Sequence, residues 1–285
     1  MSQSPTTAPV VFDRALLAQR ETRAVSLGAA TFLLDRVLDD MEERLAAVKR
    51  DFVDVADIWT PTEALRLRLS RHLRQPVRRI ASLEDRGQEV LPFAPGSLDL
   101  ALSALAFQFV NDLPGVLAQI RRALKADGLL LAAMIGGDTL TELRQSLAAA
   151  EAECEGGVSP RVAPFADLRD IGSLLQRAGL ALPVTDVDRI TVRYGNAFAL
   201  MADLRRMGAT NMLVERRRAP TRRATLLRMA EIYAERFADR DGRIRATFDI
   251  IWLSGWAPHE SQQKPLQPGS AKASLEEAVK KFSKD

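Results

Sequence analysis

Two short, nearly uninterrupted apolar runs constrain most strongly what this chain can fold into. Residues 98–105 read LDLALSAL, and residues 129–135 read LLLAAMI. A half-exposed strand would alternate apolar and polar residues, so runs like these suit strands covered on both faces. Between them lies DLPGVLAQIRRALKADG, which reads as a helix. Asp112 is placed to cap this helix, Pro114 fits its first turn, and Asp127-Gly128 is expected to end it. The second run is followed by GGDT and a further helical stretch, LTELRQSLAAAEAECEG. Strand, helix, strand, helix in this order predicts a parallel sheet with helices on both faces.

The rest of the chain extends that pattern. Residues 1–10 read as disordered. Residues 12–50 read as helix, because Leu33, Leu34, Val37, Leu38 and Met41 recur at helical spacing. An opening strand is expected at about 52–58, then a sharp turn with Thr60 as N-cap and Pro61 in the first turn of a helix reaching Leu73. PVRRIASL is a candidate short strand. A helix over about 167–178 closes at Gly179, and PVTDVDRITVRY follows as a strand. Residues 196–238 read as a mainly helical insertion before the last strand, RATFDIIWLSGW, with the two late strands pairing antiparallel. The expectation is an α/β domain over 11–258 with a seven-stranded, mostly parallel sheet, followed by a polar, loosely held tail at 259–285.

Composition removes several function classes. No apolar run reaches the ~20 residues of a membrane span, and the N-terminus lacks the apolar core of a secretory signal. Cys154 is the lone cysteine, so no internal disulfide can form; a bacterial cytoplasmic protein is the expectation. Net charge is only +3, and the basic clusters RLRLSRHLRQPVRR and ERRRAPTRRATLLR contain no aromatic residue to stack on bases. They read as solvated faces or protein-docking surfaces, with ERRRAPTRR facing an acidic partner or solvent. Two histidines and one cysteine are too few for a zinc centre, and His72 and His259 lie far apart in sequence.

The turn after the opening strand, WTPTE, lacks the glycines that let backbone amides approach a nucleotide in many α/β domains. The segment from VLPFAPGSLDLALSALAFQFVND through GGDTLTELRQSL, with EGGVSPRVAPF, MGATN and GWAPHESQQKPLQPGSAKASL, resembles the methyltransferase-like proteins related to a mitochondrial complex I assembly factor, over roughly residues 12–275. A looser resemblance is to the malonyl-carrier-protein methyltransferases of biotin synthesis. The resemblance implies a class I, Rossmann-like methyltransferase fold and S-adenosylmethionine as cofactor. It also implies a protein substrate, with a complex I subunit as the candidate, and an activity associated with arginine hydroxylation rather than methylation. A non-catalytic assembly factor on the same scaffold is the alternative.

The resemblance also assigns positions. Asp57 matches the acid at the end of the first strand, but Trp59 and Pro61 stand where the first glycines would be and Glu63 takes a further one. Cofactor binding is therefore expected to be weak or lost. Glu84 and Asp85 are the candidates for the ribose acid. Gly87 stands where an acid for the adenine amine is often found, with Glu89 the nearest carboxylate. Gln108 and Phe109 occupy the post-strand position facing cofactor and substrate, and Gly136, Gly137 and Asp138 form the next strand-end loop. Catalytic residues stay unassigned. Each position has a structural reading beside the functional one: Asp57 as a helix-capping acid, Phe109 as core, and Gly136-Gly137-Asp138 as a tight turn with Asp138 as N-cap. Glu142 and Arg144 read as a solvated face, with a substrate-facing role as the alternative, His72 as surface, and His259 beside Glu260 as either an acid–base pair or a hydrogen-bonded pin for the tail.

Overall fold

The computed structural model describes residues 10–72, 78–80 and 89–263. It contains a six-stranded sheet in the order β2-β1-β3-β4-β6-β5. The strands are β1 (Val55–Ile58), β2 (Arg78–Ile80), β3 (Leu98–Ala104), β4 (Leu124–Gly136), β5 (Ala181–Tyr194) and β6 (Ile244–Trp256). β2, β1, β3 and β4 pair in parallel; β6 is antiparallel to both β4 and β5. A seventh strand is not found among the described residues, and residues 81–88, with Glu84, Asp85 and Gly87, lie outside them. So does the tail from residue 264.

The covered runs behave as their sequence requires. Leu130, Ala132 and Met134 of β4 face one side, where α4 (Leu113–Ala123) and α6 (Leu168–Arg177) supply Val116, Leu117, Ile120, Ile171 and Leu175. Leu129, Leu131 and Ala133 face the other, against Val37, Leu38 and Met41 of α2 (Phe32–Ala47) and Leu65 and Leu69 of α3 (Ala64–His72). Beyond them, α5 (Thr141–Glu155), α7 (Ala197–Arg206) and α8 (Arg223–Phe237) pack on the β6 end through Leu147, Leu200, Met229 and Tyr233.

Several boundaries differ from the sequence reading. Residues 12–50 form two helices, α1 (Arg14–Ser26) and α2, because Gly28 takes a left-handed φ of 76° that breaks the run. α4 ends at Ala123, and β4 starts at once with Asp127 at φ 60°, so Asp127-Gly128 lies inside an irregular strand rather than closing a helix. The insertion is helical only at its two ends; residues 207–222 form a long connection. Thr60 does not cap α3. Its Oγ1 accepts from the Ala104 amide at 3.0 Å, and Thr62 Oγ1 accepts from Ala64 N instead. Among the described residues no helix is long and apolar enough to cross a membrane.

Candidate functional site

The loop after β1 keeps a glycine's backbone without a glycine. Trp59 sits at φ 61°, the left-handed region, at a cost of ~1–2 kcal/mol for a side chain-bearing residue. Its ring is buried and meets Phe107 edge-on, with ring centroids 6.5 Å apart. Burying an indole returns roughly 4 kcal/mol, so packing outweighs the strain. Asp57 is fully buried at the strand end, Thr60 is spent on β3, and Pro61 has no N–H to offer.

The remaining assigned positions divide. Gln108 is fixed by donating Nε2 to the Leu105 carbonyl at 2.7 Å, and Phe109 packs edge-on against Phe12 of the N-terminal segment. Glu89 is already engaged: its two carboxylate oxygens accept from the amides of Asn111 and Asp112 at 2.7 and 2.6 Å, and Arg14 pairs with it at 3.1 Å. It clamps the start of α4 rather than reaching toward an adenine.

The GGDT loop is closed on itself. A Cβ at Gly136 would lie 2.2 Å from Ile251 Cδ1, and one at Gly137, where φ is 55°, would lie 2.6 Å from Asp249 Oδ2. Both glycines are thus required by packing against β6. The amides of residues 137–141 all donate within the protein, to Ala166 O, Asp249 Oδ2, Gly136 O, Thr247 O and Asp138 O in turn. Arg189 of β5 grips Asp249 through both Nε and Nη2 at 2.7 Å and also reaches Asp138 Oδ2 at 2.8 Å. Burial pushes the Asp249 carboxyl up, but the Arg189 hydrogen bond, the Asp138 amide and the Arg189 charge together hold it below the usual carboxylate range. Asp138 is not the N-cap of α5; that position is Leu140, left-handed at φ 55°. Glu142 is not solvated either. It is buried and accepts from the Thr247 amide at 3.1 Å. Arg144 reaches back to the Thr139 carbonyl at 3.3 Å.

A cavity of about 870 Å³ opens between α1, residues 207–222 and the ends of β3 and β4. Gln108 and Phe109 line it, as do Pro61 and Thr62; Asp57, Trp59, Glu89, Gly136, Gly137 and Asp138 do not. Its floor is apolar, with Leu105, Ile135, Leu143 and Phe248 among the lining side chains. Its upper wall contains all of MGATN, residues 207–211, and most of RVAPF, residues 161–165. Gly208 at φ 72° lets the chain approach the backbone of Glu21 in α1, where a Cβ would meet Glu21 Cα at 3.4 Å. Asn211 ties the two segments together by donating Nδ2 to Pro160 O at 2.7 Å. Reading residues by role missed this wall. The signal was present in MGATN and RVAPF, which the resemblance used as markers without giving them a task.

The described residues do not compose the usual cradle for the cofactor that the resemblance implies, because the amides of residues 137–141 and the Glu89 carboxylate are engaged, Asp57 is buried, and a buried tryptophan and a proline stand in the turn after β1. Of the assigned positions, Gln108, Phe109 and Pro61 line the cavity. His72 is the last residue of α3, whereas His259 bonds Ser261 Oγ at 2.6 Å and pins the turn after β6. Among the described residues no group of three or more His, Cys, Asp or Glu is placed to hold a metal ion.

The comparisons agree with this architecture. A family model described as a methyltransferase domain matches residues 45–132. The zebrafish (Danio rerio) protein named arginine-hydroxylase NDUFAF5, mitochondrial, is 36% identical over 293 residues, covering 95% of this chain and 90% of that protein. Its Dictyostelium discoideum counterpart is 47% identical over 199 residues, 70% of this chain but 45% of that protein, so the chain spans less than half the length of that relative. A malonyl-[acyl-carrier protein] O-methyltransferase of Laribacter hongkongensis is 38% identical over 210 residues, 71% of this chain and 68% of that protein. In fold, the phosphoethanolamine N-methyltransferase 2 of Haemonchus contortus, solved with S-adenosyl-L-methionine, superposes with a TM-score of 0.50 at 13% identity, covering 86% of this chain and 60% of that one. The chain belongs to the family of methyltransferase-like complex I assembly factors that carry the name arginine-hydroxylase NDUFAF5, and it is built on the class I methyltransferase fold.

Proposed function

We propose that this protein serves assembly of respiratory complex I by working on a side chain of a protein subunit presented in the cavity beside Gln108 and Phe109. The observation that carries this is the match along 95% of the chain to a relative named an arginine-hydroxylase, and by that likeness an arginine is the side chain proposed. The cavity adds physical support. It lies at the carboxyl ends of β3 and β4, where open α/β sheets place their ligands, and it is roomy enough for a peptide side chain and its neighbours. Gln108, held by the Leu105 carbonyl, presents a fixed amide edge, and Phe109, braced by Phe12, presents a rigid apolar wall. Both would orient a substrate stem without moving. A cytoplasmic location is part of this reading.

The engaged loop favours a second reading, in which the fold is a scaffold and S-adenosylmethionine binds weakly or not at all. Titration of the purified protein with S-adenosylmethionine separates the two: micromolar or tighter affinity removes the scaffold reading. The role itself is tested by deleting the gene. Loss of complex I accumulation with biotin prototrophy intact is the expected result. A biotin requirement alone would reject the assembly role and assign the chain to carrier methylation.

A further inference from the structure

The cavity has a charge that its floor does not explain. Arg20 of α1, Arg205 of α7 and Arg218 of the connection line it, and among the described residues none of the three forms a salt bridge. Three further lining arginines are balanced from outside the cavity: Arg161 by Glu151, Arg216 by Asp13 at 3.1 Å, and Arg217 by Glu155. Arg206 also lines it, and Glu21 is the lone acid of the lining. Arg20 is half-buried there and donates to Thr210 Oγ1 of the MGATN segment. Burial first, then the charges of Arg216 and Arg23, push its pKa down, and the nearby Asp13 carboxylate offsets them only in part. Cations crowded over an apolar floor raise one another's energy unless a counter-charge enters.

We propose that the cavity accepts an acidic protein segment, whose carboxylates meet Arg20, Arg205 and Arg218 while an apolar side chain fills the floor formed by Leu105, Leu143 and Phe248. This rests on the reading of the cavity as the place where the protein partner binds. A peptide answers both halves of the site. A free phosphate would leave the apolar floor wet, and a nucleic acid would have to reach past the arginines to the four lining phenylalanines, Phe12, Phe109, Phe165 and Phe248, to stack a base. An isolated target arginine would meet charge of its own sign at this mouth. Acidic neighbours in the same segment remove that repulsion and set which arginine is admitted. Selection therefore comes from the residues around the target, not from the target alone.

Fluorescence anisotropy of the full chain tests the charge preference. The probes are labelled short peptides of leucine and glutamate, the same peptides with glutamine for glutamate, and the same with lysine. The glutamate peptide is expected to bind, with affinity falling about tenfold as salt is raised. The glutamine peptide should bind about tenfold more weakly and the lysine peptide not at all. Arg205→Gln with Arg218→Gln removes two exposed cations that make no internal ion pair, so the fold is retained while glutamate-peptide affinity falls about fivefold; Arg20→Gln lowers it further. Equal binding of the three peptides, no binding of the glutamate peptide, undiminished binding by the folded variants, or tighter retention of a single-stranded oligonucleotide would each overturn the proposal. The proposed role fails separately: a chain that prefers the glutamate peptide but whose deletion leaves complex I intact keeps the acidic-segment site and loses the assembly role.

Discussion

The turn after β1 and the turn after β4 stand at equivalent places, each at the carboxyl end of a parallel strand, and they contradict expectation in opposite ways. GGDT has the glycines of a ligand loop, yet β6 needs them: Ile251 and Asp249 occupy the space where their Cβ atoms would go, and every amide from 137 to 141 is consumed inside the protein. WTPT has no glycine, yet Trp59 holds a glycine's left-handed backbone, and Pro61 and Thr62 border the cavity. A glycine in such a turn records a close approach without saying whether the approaching group is a ligand or the protein's own side chain. The GGDT turn is a latch on the sheet, and the WTPT turn is the one beside the open volume.

Substitutions can break this contrast. The largest effect is expected for Trp59→Gly. It relieves ~1–2 kcal/mol of left-handed strain but removes an indole from the core, a loss of ~3–5 kcal/mol, for a net destabilisation of up to roughly 4 kcal/mol by urea denaturation. If the tryptophan is what closes the loop to cofactor, the same variant gains affinity for S-adenosylmethionine in calorimetry over a weakly binding parent. A parent that already binds tightly would show that the loop admits the cofactor as it stands. Asp249→Ala follows at roughly 2–3 kcal/mol, below the ~3–5 of a fully buried broken pair because Arg189 is half-exposed and stays solvated. Gly136→Ala forces Ile251 aside and is expected to cost about 1–3 kcal/mol. Asp138→Ala, at an exposed carboxylate, should stay within about 1 kcal/mol and should rescue a deletion strain fully. A folded Asp138→Ala protein that fails to rescue would return a functional role to the GGDT turn.

The latch also has a pH signature. The folded Asp249 carboxyl titrates below its unfolded value of about 3.9, so its contribution is complete above that value and is lost as pH falls through the lowered folded value. Glu151, where burial raises the carboxyl but hydrogen bonds from Arg161 and Ser159 lower it further, acts in the same sense. Asp249→Asn is therefore expected to flatten the acid limb of the stability profile below about pH 4 and to leave the neutral plateau lowered but level. An unchanged acid limb in thermal melts would place the titrating group elsewhere.

Much of the scaffold was legible beforehand. The covered runs, the Asp112 cap on Gly115 and the closing Gly179 at φ 79° are local patterns, and each appears where the sequence put it. Of the candidate site residues, Gln108 and Phe109 are the two that line the cavity. Glu89 and Asp138 read as ligand-facing acids because their sequence neighbours are shared with proteins that use such positions. Their actual partners, Asn111 with Asp112 and Arg189, come from elements that no spacing rule connects to them. Glu142 read as solvated for the same reason, since its partner Thr247 lies 105 residues away.

The sequence by itself determined the alternation of covered strands and amphipathic helices, and so the layered parallel core, because hydrophobic period is a property of neighbouring residues. It also marked MGATN and RVAPF as special without giving them a function. Tertiary structure alone decided that these segments meet α1, with Arg20 reaching Thr210 across 190 residues, and that their meeting leaves an arginine-lined cavity over leucines. It alone decided that a tryptophan would fill the first loop and that two glycines would make room for a neighbouring strand. Such outcomes depend on which side chains are brought within a few ångströms of one another by the whole chain, and close packing, not local propensity, selects among them.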